Sequence, residues 1–166
     1  MKKTVVLLIA LGSMLSCCSQ QAEFTEEALQ DVFVDRDGND ILFASVLEKH
    51  KGKPVFIDVW ASWCSDCVKG MPGVKKLMSE YTKVQFLFLS LDRTQDRWKS
   101  GIERLGIENG DHYFIKAGWK ESDFCSAIKL DWIPRYMILD SSGKIIVFKA
   151  VKTNDQNLIN TLKTLQ

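Results

Sequence analysis

The feature that most constrains this chain is a strand-forming segment that leads directly into two cysteines three positions apart. The segment PVFIDVWA (54–61) is nearly continuous in residues that favour strands, which is typical of a strand buried on both faces of a sheet. After the segment SWC the pattern becomes helical, with Val68, Met71 and Val74 at spacings of three and four. The pattern therefore places Cys64 where a strand passes into a helix, and Cys67 one turn inside that helix.

Strand and helix patterns alternate along the rest of the domain. Two apolar segments, one on each side of Asp37-Gly38-Asn39, predict a hairpin. The segment after the hairpin predicts a short helix that ends at Gly52. The later pattern predicts a buried strand (84–92), a helix opened by Thr94 and closed by Gly106, a short extended piece (112–118), a short helix (121–130), a hairpin (134–150) and a final helix (155–166). This order predicts an α/β fold: a mixed central sheet with helices on both faces and an N-terminal β-hairpin extension.

The first thirty residues differ from the rest and predict export. Two lysines precede an apolar stretch (4–15). A membrane-spanning helix needs about 20 apolar residues, and this stretch is shorter, so we interpret 1–16 as a signal peptide. The segment MLSCC resembles the lipobox of bacterial lipoproteins, although Met14 stands where leucine is favoured, and the resemblance implies a lipid on Cys17. Ordinary cleavage is the alternative. The polar segment 17–30 predicts a lipid-anchored tether, and 31–166 predicts the domain, in an oxidising compartment.

Charge and cysteine content exclude some classes of function. With 22 basic and 21 acidic residues, the chain has no net charge that would attract nucleic acid. The predicted domain contains three cysteines, an odd number that suits a disulfide framework poorly. One CxxC pair without a second pair at ligand spacing predicts no metal site. A purely structural disulfide is the remaining alternative, although a bridge closing so short a loop adds little stability.

The predicted position of the two cysteines favours redox chemistry. Unpaired N–H groups and the positive end of the dipole at a helix N-terminus stabilise a thiolate, so Cys64 is expected to be nucleophilic near neutral pH. Cys67 is expected to be more buried and less reactive. The pair then divides into an attacking thiol and a resolving thiol.

Two segments carry a family resemblance. FIDVWASWCSDC resembles the active-site segment of the thioredoxin superfamily, and WIPRYMILDSSGKI resembles its cis-proline loop and the hairpin that follows. Residues 31–166 are similar to the TlpA/ResA-like branch of exported and membrane-anchored thiol–disulfide oxidoreductases. The resemblance implies a thioredoxin-like fold and thiol–disulfide exchange.

The resemblance also implies roles for matching positions. Asp58 matches a buried acid that takes the proton of Cys67, and burial is expected to raise its pKa; a strand aspartate paired with a lysine is the alternative. Pro134 matches the cis-proline, which would place the backbone of Ile133 beside Cys64 to pair with an extended substrate. The side chains of Trp60 and Trp63 are expected to line the site around the two cysteines. The alternative for Trp60 is simple packing in the hydrophobic core.

The same resemblance implies partners. No GxGxxG motif is present, so no bound cofactor is predicted, and a membrane thiol reductant must restore the dithiol. Protein disulfides are the expected substrates, cytochrome c apoproteins among them, for a lipoprotein of the cell envelope facing the periplasm. Between the cysteines, Ser65-Asp66 replaces the Gly-Pro of thioredoxin. The charge of Asp66 is expected to destabilise the Cys64 thiolate, which favours a reductant or isomerase over a disulfide donor.

Two other functions stay open at this stage. One is a peptide-binding module that uses the cis-proline groove without turnover. The other is a thiol peroxidase, which would require a threonine where Ala61 stands. Cys125, outside the CxxC motif, is expected to be a buried free thiol, with a regulatory thiol as the alternative.

Overall fold

Residues 22–166, which the computed structural model describes, form seven strands and seven helices. The predicted signal peptide and Cys17 lie outside the described residues. The strands are β1 (Val32–Val34), β2 (Asp40–Leu42), β3 (Val55–Trp60), β4 (Gln85–Ser90), β5 (Asp111–Ile115), β6 (Arg135–Leu139) and β7 (Ile145–Ala150). The helices are α1 (Glu26–Leu29), α2 (Phe43–Lys49), α3 (Ser65–Glu80), α4 (Gln95–Leu105), α5 (Gly118–Glu121), α6 (Asp123–Ala127) and α7 (Gln156–Thr164).

The strands form one mixed sheet in the order β2-β1-β5-β4-β3-β6-β7. Strand β3 lies between β4, to which it is parallel, and β6, to which it is antiparallel. All six residues of β3 are buried, which explains why its sequence is nearly continuous in strand formers. The mixed α/β sheet is thus confirmed, with the strand that precedes the cysteines near its centre.

The N-terminal hairpin extends this sheet at one edge. Strands β1 and β2 pair antiparallel, and Gly38 in the turn between them has a φ of 92°, which only glycine adopts freely. Strand β1 also pairs antiparallel with β5, with Phe33 opposite Ile115. The short extended piece predicted at 112–118 is therefore a full strand, which joins the hairpin to the rest of the sheet.

The segment before the hairpin corrects the predicted tether. Ile145 donates its N–H to the carbonyl of Ala22 at 2.7 Å, and the Phe24 ring lies 4.9 Å from that of Phe43. Ala28 in α1 is fully buried. The tether assigned to 17–30 is therefore wrong for residues 22–30, which pack against the domain. Three apolar side chains, Phe24, Ala28 and Leu29, anchor the segment, too few to stand out in its polar composition.

The short helix predicted at 121–130 is α6, which is shorter than predicted, and the separate one-turn helix α5 before it was not predicted. Ser122 ends α5 and is the N-cap of α6, where its hydroxyl accepts from the N–H of Cys125 at 3.1 Å. The same hydroxyl donates to the buried carboxylate of Asp31 at 2.5 Å. This contact ties α6 to the residue that precedes β1. Helix α4 begins and ends as predicted, at Thr94 and Gly106.

Within residues 22–166, none of the helices combines the length and the apolar character needed to cross a membrane.

Candidate active site

The two cysteines lie at the junction that the sequence predicts. Strand β3 ends at Trp60 and α3 begins at Ser65, with Cys64 as its N-cap. Cys64 and Cys67 form a disulfide whose Cα atoms are 5.3 Å apart, and the N–H of Cys67 donates to the Sγ of Cys64 at 3.1 Å. The first turn of α3 therefore directs a backbone donor at the sulfur that would carry the negative charge after reduction.

The two sulfurs differ in access. Cys64 is 7% exposed and Cys67 is 1% exposed, so a substrate can reach only Cys64 without a rearrangement of the site. The N-terminus of a helix stabilises a thiolate by its dipole and its free N–H groups. Both observations suit Cys64 for attack and Cys67 for the internal step that follows.

The predicted proline loop lies against this pair. The Ile133–Pro134 peptide bond is cis, as the resemblance implied. The carbonyl oxygen of Ile133 lies 3.5 Å from the Sγ of Cys64. This places the Ile133 backbone beside the more accessible sulfur, where an extended substrate chain would have to run.

Asp58 is buried in β3, two residues before the strand ends at Trp60. It is 1% exposed, and its Oδ1 has no hydrogen-bond partner among the described residues. No lysine or arginine forms an ion pair with it within residues 22–166. Burial therefore raises the pKa of this carboxyl well above its usual value. A carboxyl of raised pKa without a basic partner holds its proton to higher pH than an exposed aspartate does.

Tyr136 is a residue of this site that sequence reasoning missed. It is the register partner of Asp58 across β3 and β6 and is 1% exposed. A Cβ on Gly70 of α3 would come within 2.8 Å of its hydroxyl. Tyr136 thus fills the space between the sheet and the helix that carries the cysteines. Only the strand pairing reveals that it lies next to the buried acid.

The two tryptophans before Cys64 have different surroundings. Trp63 is 51% exposed and borders the site, with its Nε1 donating to the carbonyl of Leu91 at 3.4 Å. Trp60 is fully buried in the core. The expectation that Trp60 walls the cysteine pair is therefore wrong. It is the last residue of β3, a strand covered on both faces, so its ring has no route to the surface.

A second missed residue, Asp92, holds the loop that precedes the cysteines. It follows β4 and is 3% exposed. Its carboxylate accepts from the N–H of Ser62 at 3.1 Å, from the Ser62 hydroxyl at 2.6 Å and from the Ser90 hydroxyl at 2.9 Å. Arg104 of α4 donates to the carbonyl of Ser62 at 3.0 Å. We call these four residues the Ser62 cluster. It fixes the backbone two residues before Cys64.

The third cysteine of the described residues is set apart from the pair. Cys125 is a free thiol, 2% exposed, and burial raises its pKa to about 11. A thiol of this kind is protonated and unreactive at neutral pH. In the same part of the chain, 22–166, no three His, Cys, Asp or Glu side chains lie close enough together to hold a metal ion.

Comparison with known proteins agrees with this geometry. A family model described as thioredoxin-like matches residues 52–145. The chain is 26% identical to the thiol-disulfide oxidoreductase ResA of Bacillus thuringiensis subsp. konkukian, over 93% of this chain and 90% of that one. The thioredoxin domain of a thiol-disulfide oxidoreductase from Bacteroides vulgatus superposes with a TM-score of 0.67 at 25% identity, over 81% of this chain and 92% of the other. A thiol-disulfide oxidoreductase from Bacteroides fragilis shares the fold, with a TM-score of 0.68 at 21% identity over 89% of this chain and all of the other.

Proposed function

Because the chain belongs to the thioredoxin-like family, as a TlpA/ResA-like thiol–disulfide oxidoreductase with a Cys64–Cys67 pair, we propose that it reduces disulfides of proteins outside the cytoplasm. One observation carries the proposal. The two cysteines are bonded to each other at the N-terminus of α3, with only Cys64 accessible and the Ile133 carbonyl beside it.

The reaction has two steps. The Cys64 thiolate attacks one sulfur of a substrate disulfide, the substrate S–S bond breaks, and the other substrate sulfur leaves as a thiolate that takes a proton from water. Cys67 then gives its proton to the Asp58 carboxylate and attacks the Sγ of Cys64, which releases the second substrate sulfur. The substrate gains two electrons and the chain is left with the 64–67 disulfide.

The raised pKa of Asp58 supports its role as the proton acceptor. A carboxylate of raised pKa is a stronger base than an exposed one, so it takes a proton from a thiol more readily. Trp63 and Ile133 would contact the substrate, since they line the cleft that contains Cys64, and Pro134 would do so from the adjoining groove. A membrane thiol reductant would restore the dithiol, and cytochrome c apoproteins are among the clients to test.

The proposal that the protein is exported rests on the sequence before residue 22. The basic start, the apolar stretch 4–15 and Cys17 would make it a lipid-anchored protein of the cell envelope that faces the periplasm. Expression of the full chain and of Cys17→Ser in a bacterium, followed by fractionation and mass spectrometry, tests this. The original chain should carry the lipid and sediment with membranes, and Cys17→Ser should do neither. An unlipidated Cys17 in the original chain would refute the anchor.

The first test of the activity is the reduction potential of the Cys64–Cys67 pair. The chain is equilibrated in glutathione or dithiothreitol buffers, alkylated and weighed, with Cys125→Ser as the matched control. A potential near about −270 mV, together with insulin reduction that Cys64→Ser abolishes, would support a reductant. A potential near about −120 mV would reverse the direction and make the protein a disulfide donor. If no reversible couple appears, a peptide-binding module without turnover becomes the better explanation.

A further inference from the structure

Three tryptophan side chains surround a cleft beside Cys64. Its volume is about 260 Å³, and its walls are Trp63, Trp119 and Trp132. Trp63 is 51% exposed and Trp132 is 55% exposed, more than any other large hydrophobic residue among those that the structure describes. Cys64, Asp66 and Ile133 also line this space, which we call the tryptophan cleft. An exposed pair of indoles is costly to keep in water, and this pair lies where a substrate must approach.

The cleft is held in shape by hydrogen bonds to backbone carbonyls. The Nε1 of Trp63 donates to Leu91 at 3.4 Å, and the Nε1 of Trp119 donates to Leu130 at 3.2 Å. Both bonds use the polar edge of the indole and leave its face available.

The loop that carries Trp132 is held in turn by Arg135. Its guanidinium is 1% exposed, donates to the carbonyl of Ile128 at 3.0 Å, and forms an ion pair with Asp131. Lys149 forms a second ion pair with Asp131. The residue just before Trp132 is therefore held from two sides, which limits how far the loop that carries Trp132 can move.

The charge of the cleft indicates what it can hold. Among residues 22–166, Asp66 is the only charged residue that lines it. The face of an indole carries negative electrostatic potential and attracts cations, and among the aromatic side chains tryptophan does so most strongly. Arginine is weakly hydrated and stacks on aromatic faces, so it loses less than lysine on entering such a site. An acidic side chain would be repelled by both the indoles and Asp66.

We propose that the tryptophan cleft binds a basic side chain, arginine in preference to lysine, that neighbours the reactive cysteine of the substrate. The substrate sulfur must come within bonding distance of the Cys64 Sγ, so the residue next to it falls beside the cleft. This inference rests on the proposed oxidoreductase function and names its substrate class: disulfides flanked by basic residues. The same cleft disfavours disulfides flanked by acidic residues.

Matched peptides test this specificity. Disulfide-linked dimers of the blocked peptide Ala-X-Cys-X-Ala, with X as arginine, lysine, leucine or glutamate, are reduced by the full chain in its dithiol form, and products are followed by mass. Each rate is divided by the rate with dithiothreitol, an uncharged reductant, which removes the effect of X on the peptide's own reactivity. Cys64→Ser gives the background from the other thiols.

The expected result is a normalised preference for arginine over leucine of about two- to fivefold, and a larger preference over glutamate. Trp132→Phe should reduce the preference for arginine, and Trp132→Leu should abolish it, because the attraction follows the aromatic face. Asp66→Asn should reduce the preference of arginine over glutamate. Ile146→Ala, which removes an exposed apolar side chain from β7, should leave all ratios unchanged.

The outcomes separate the two proposals. Equal or faster reduction of the leucine peptide, or an arginine preference that survives Trp132→Leu, would overturn the basic-side-chain inference while leaving the oxidoreductase function intact. A dithiol form that reduces none of the four peptides would instead overturn the proposed function, and the inference with it.

Discussion

Asp58 and Tyr136 lie directly opposite each other on the antiparallel strands β3 and β6, so both side chains are on the same face of the sheet. Burial raises the pKa of both groups, and the Asp58 carboxylate raises that of Tyr136 further. The phenol thus stays protonated beside an acid that holds its own proton more tightly than an exposed aspartate does. The carboxyl of Asp58, which can exchange a proton, therefore lies next to the phenol of Tyr136, which stays protonated.

The stability of the protein should fall with rising pH because of Asp58. Its folded-state pKa lies above its usual value of 3.8, so its contribution to stability is complete below that value and is lost as the pH rises through the folded-state pKa. In that range the free energy of unfolding should lose up to about 1.4 kcal/mol per pH unit from this group. Asp58→Asn should remove this loss and be more stable than the original chain at alkaline pH.

Urea unfolding followed by circular dichroism between about pH 4 and pH 8 measures this difference. Asp37→Asn, in the exposed turn of the N-terminal hairpin, is the matched control and should keep the original pH profile. Equal slopes for the original chain and Asp58→Asn would mean that the carboxyl is not desolvated.

The same substitution should separate the two chemical steps. Asp58→Asn should slow the attack of Cys67 on the mixed disulfide by about a hundredfold at neutral pH, because the proton acceptor is lost. Formation of the mixed disulfide by Cys64 should change much less. Rapid acid quenching and mass spectrometry would show the mixed disulfide accumulating, as it should permanently in Cys67→Ser. A matched slowing of both steps would argue that Asp58 acts on Cys64 instead.

The Ser62 cluster should be needed for both stability and rate. Asp92→Ala removes the shared acceptor of three buried or half-buried donors, which should cost about 2–4 kcal/mol of unfolding free energy. Insulin reduction should also slow under conditions where the variant is fully folded. The control Asp37→Ala should stay within about 0.5 kcal/mol. Full activity in a destabilised Asp92→Ala would limit the cluster to a structural role.

Gly101 lets α4 approach the loop that carries the cysteines. A Cβ at this position would lie 2.7 Å from the Cβ of Ser62, closer than side chains pack. Alanine normally stabilises a helix relative to glycine, but Gly101→Ala should destabilise the protein by about 1–3 kcal/mol because of this overlap. The midpoint of urea unfolding measures the change, with exposed Ser100→Ala as the control. A midpoint at or above that of the original chain would contradict the close approach.

The charge of Asp66 should make the pair more reducing. Its carboxylate destabilises the nearby Cys64 thiolate and hence the dithiol form, so Asp66→Asn should move the reduction potential to a less negative value, by about 5–20 mV. Redox titration with alkylation and mass spectrometry measures the potential, and Asp37→Asn should not move it. A shift toward a more negative potential would show that Asp66 stabilises the thiolate.

Local sequence patterns predicted the strand and the helix that position the two cysteines. The continuous strand pattern of β3 and the helical spacing after Cys64 identified the junction that holds the disulfide, and the resemblance supplied the cis-proline at 134. The burial of Asp58 could be predicted because it lies within a strand whose sequence is nearly continuous in strand formers, and its role as a base stays a prediction. These features depend on neighbours in the sequence, where period and motif carry information.

Features that depend on distant segments were not predicted. Asp92 reaches Ser62 only because β3 and β4 are parallel neighbours, and no local pattern marks a strand-end aspartate as a loop anchor. Trp119 and Trp132 converge on Cys64 through the packing of α5 against the proline loop. Trp60 was expected to line the active site but lies in the core. Because both faces of β3 are buried, its sequence does not alternate between apolar and polar residues, and such alternation is what would show which side chains face the core.

The hydrogen bond between Ala22 and Ile145 places the start of the described chain at the end of the sheet that lies away from the cysteines. Ile145 pairs with Leu139, which pairs with Val55 at the start of β3, whereas Cys64 follows the end of that strand. The six residues of β3 separate the two ends by about 20 Å. Ala22, where the described residues begin, and the redox centre are therefore at opposite ends of β3, and a bilayer anchor on Cys17, as proposed, would join the domain at the end away from Cys64. The cysteines would then face the aqueous space, where they meet freely diffusing clients and a reductant that must extend well beyond the lipid surface.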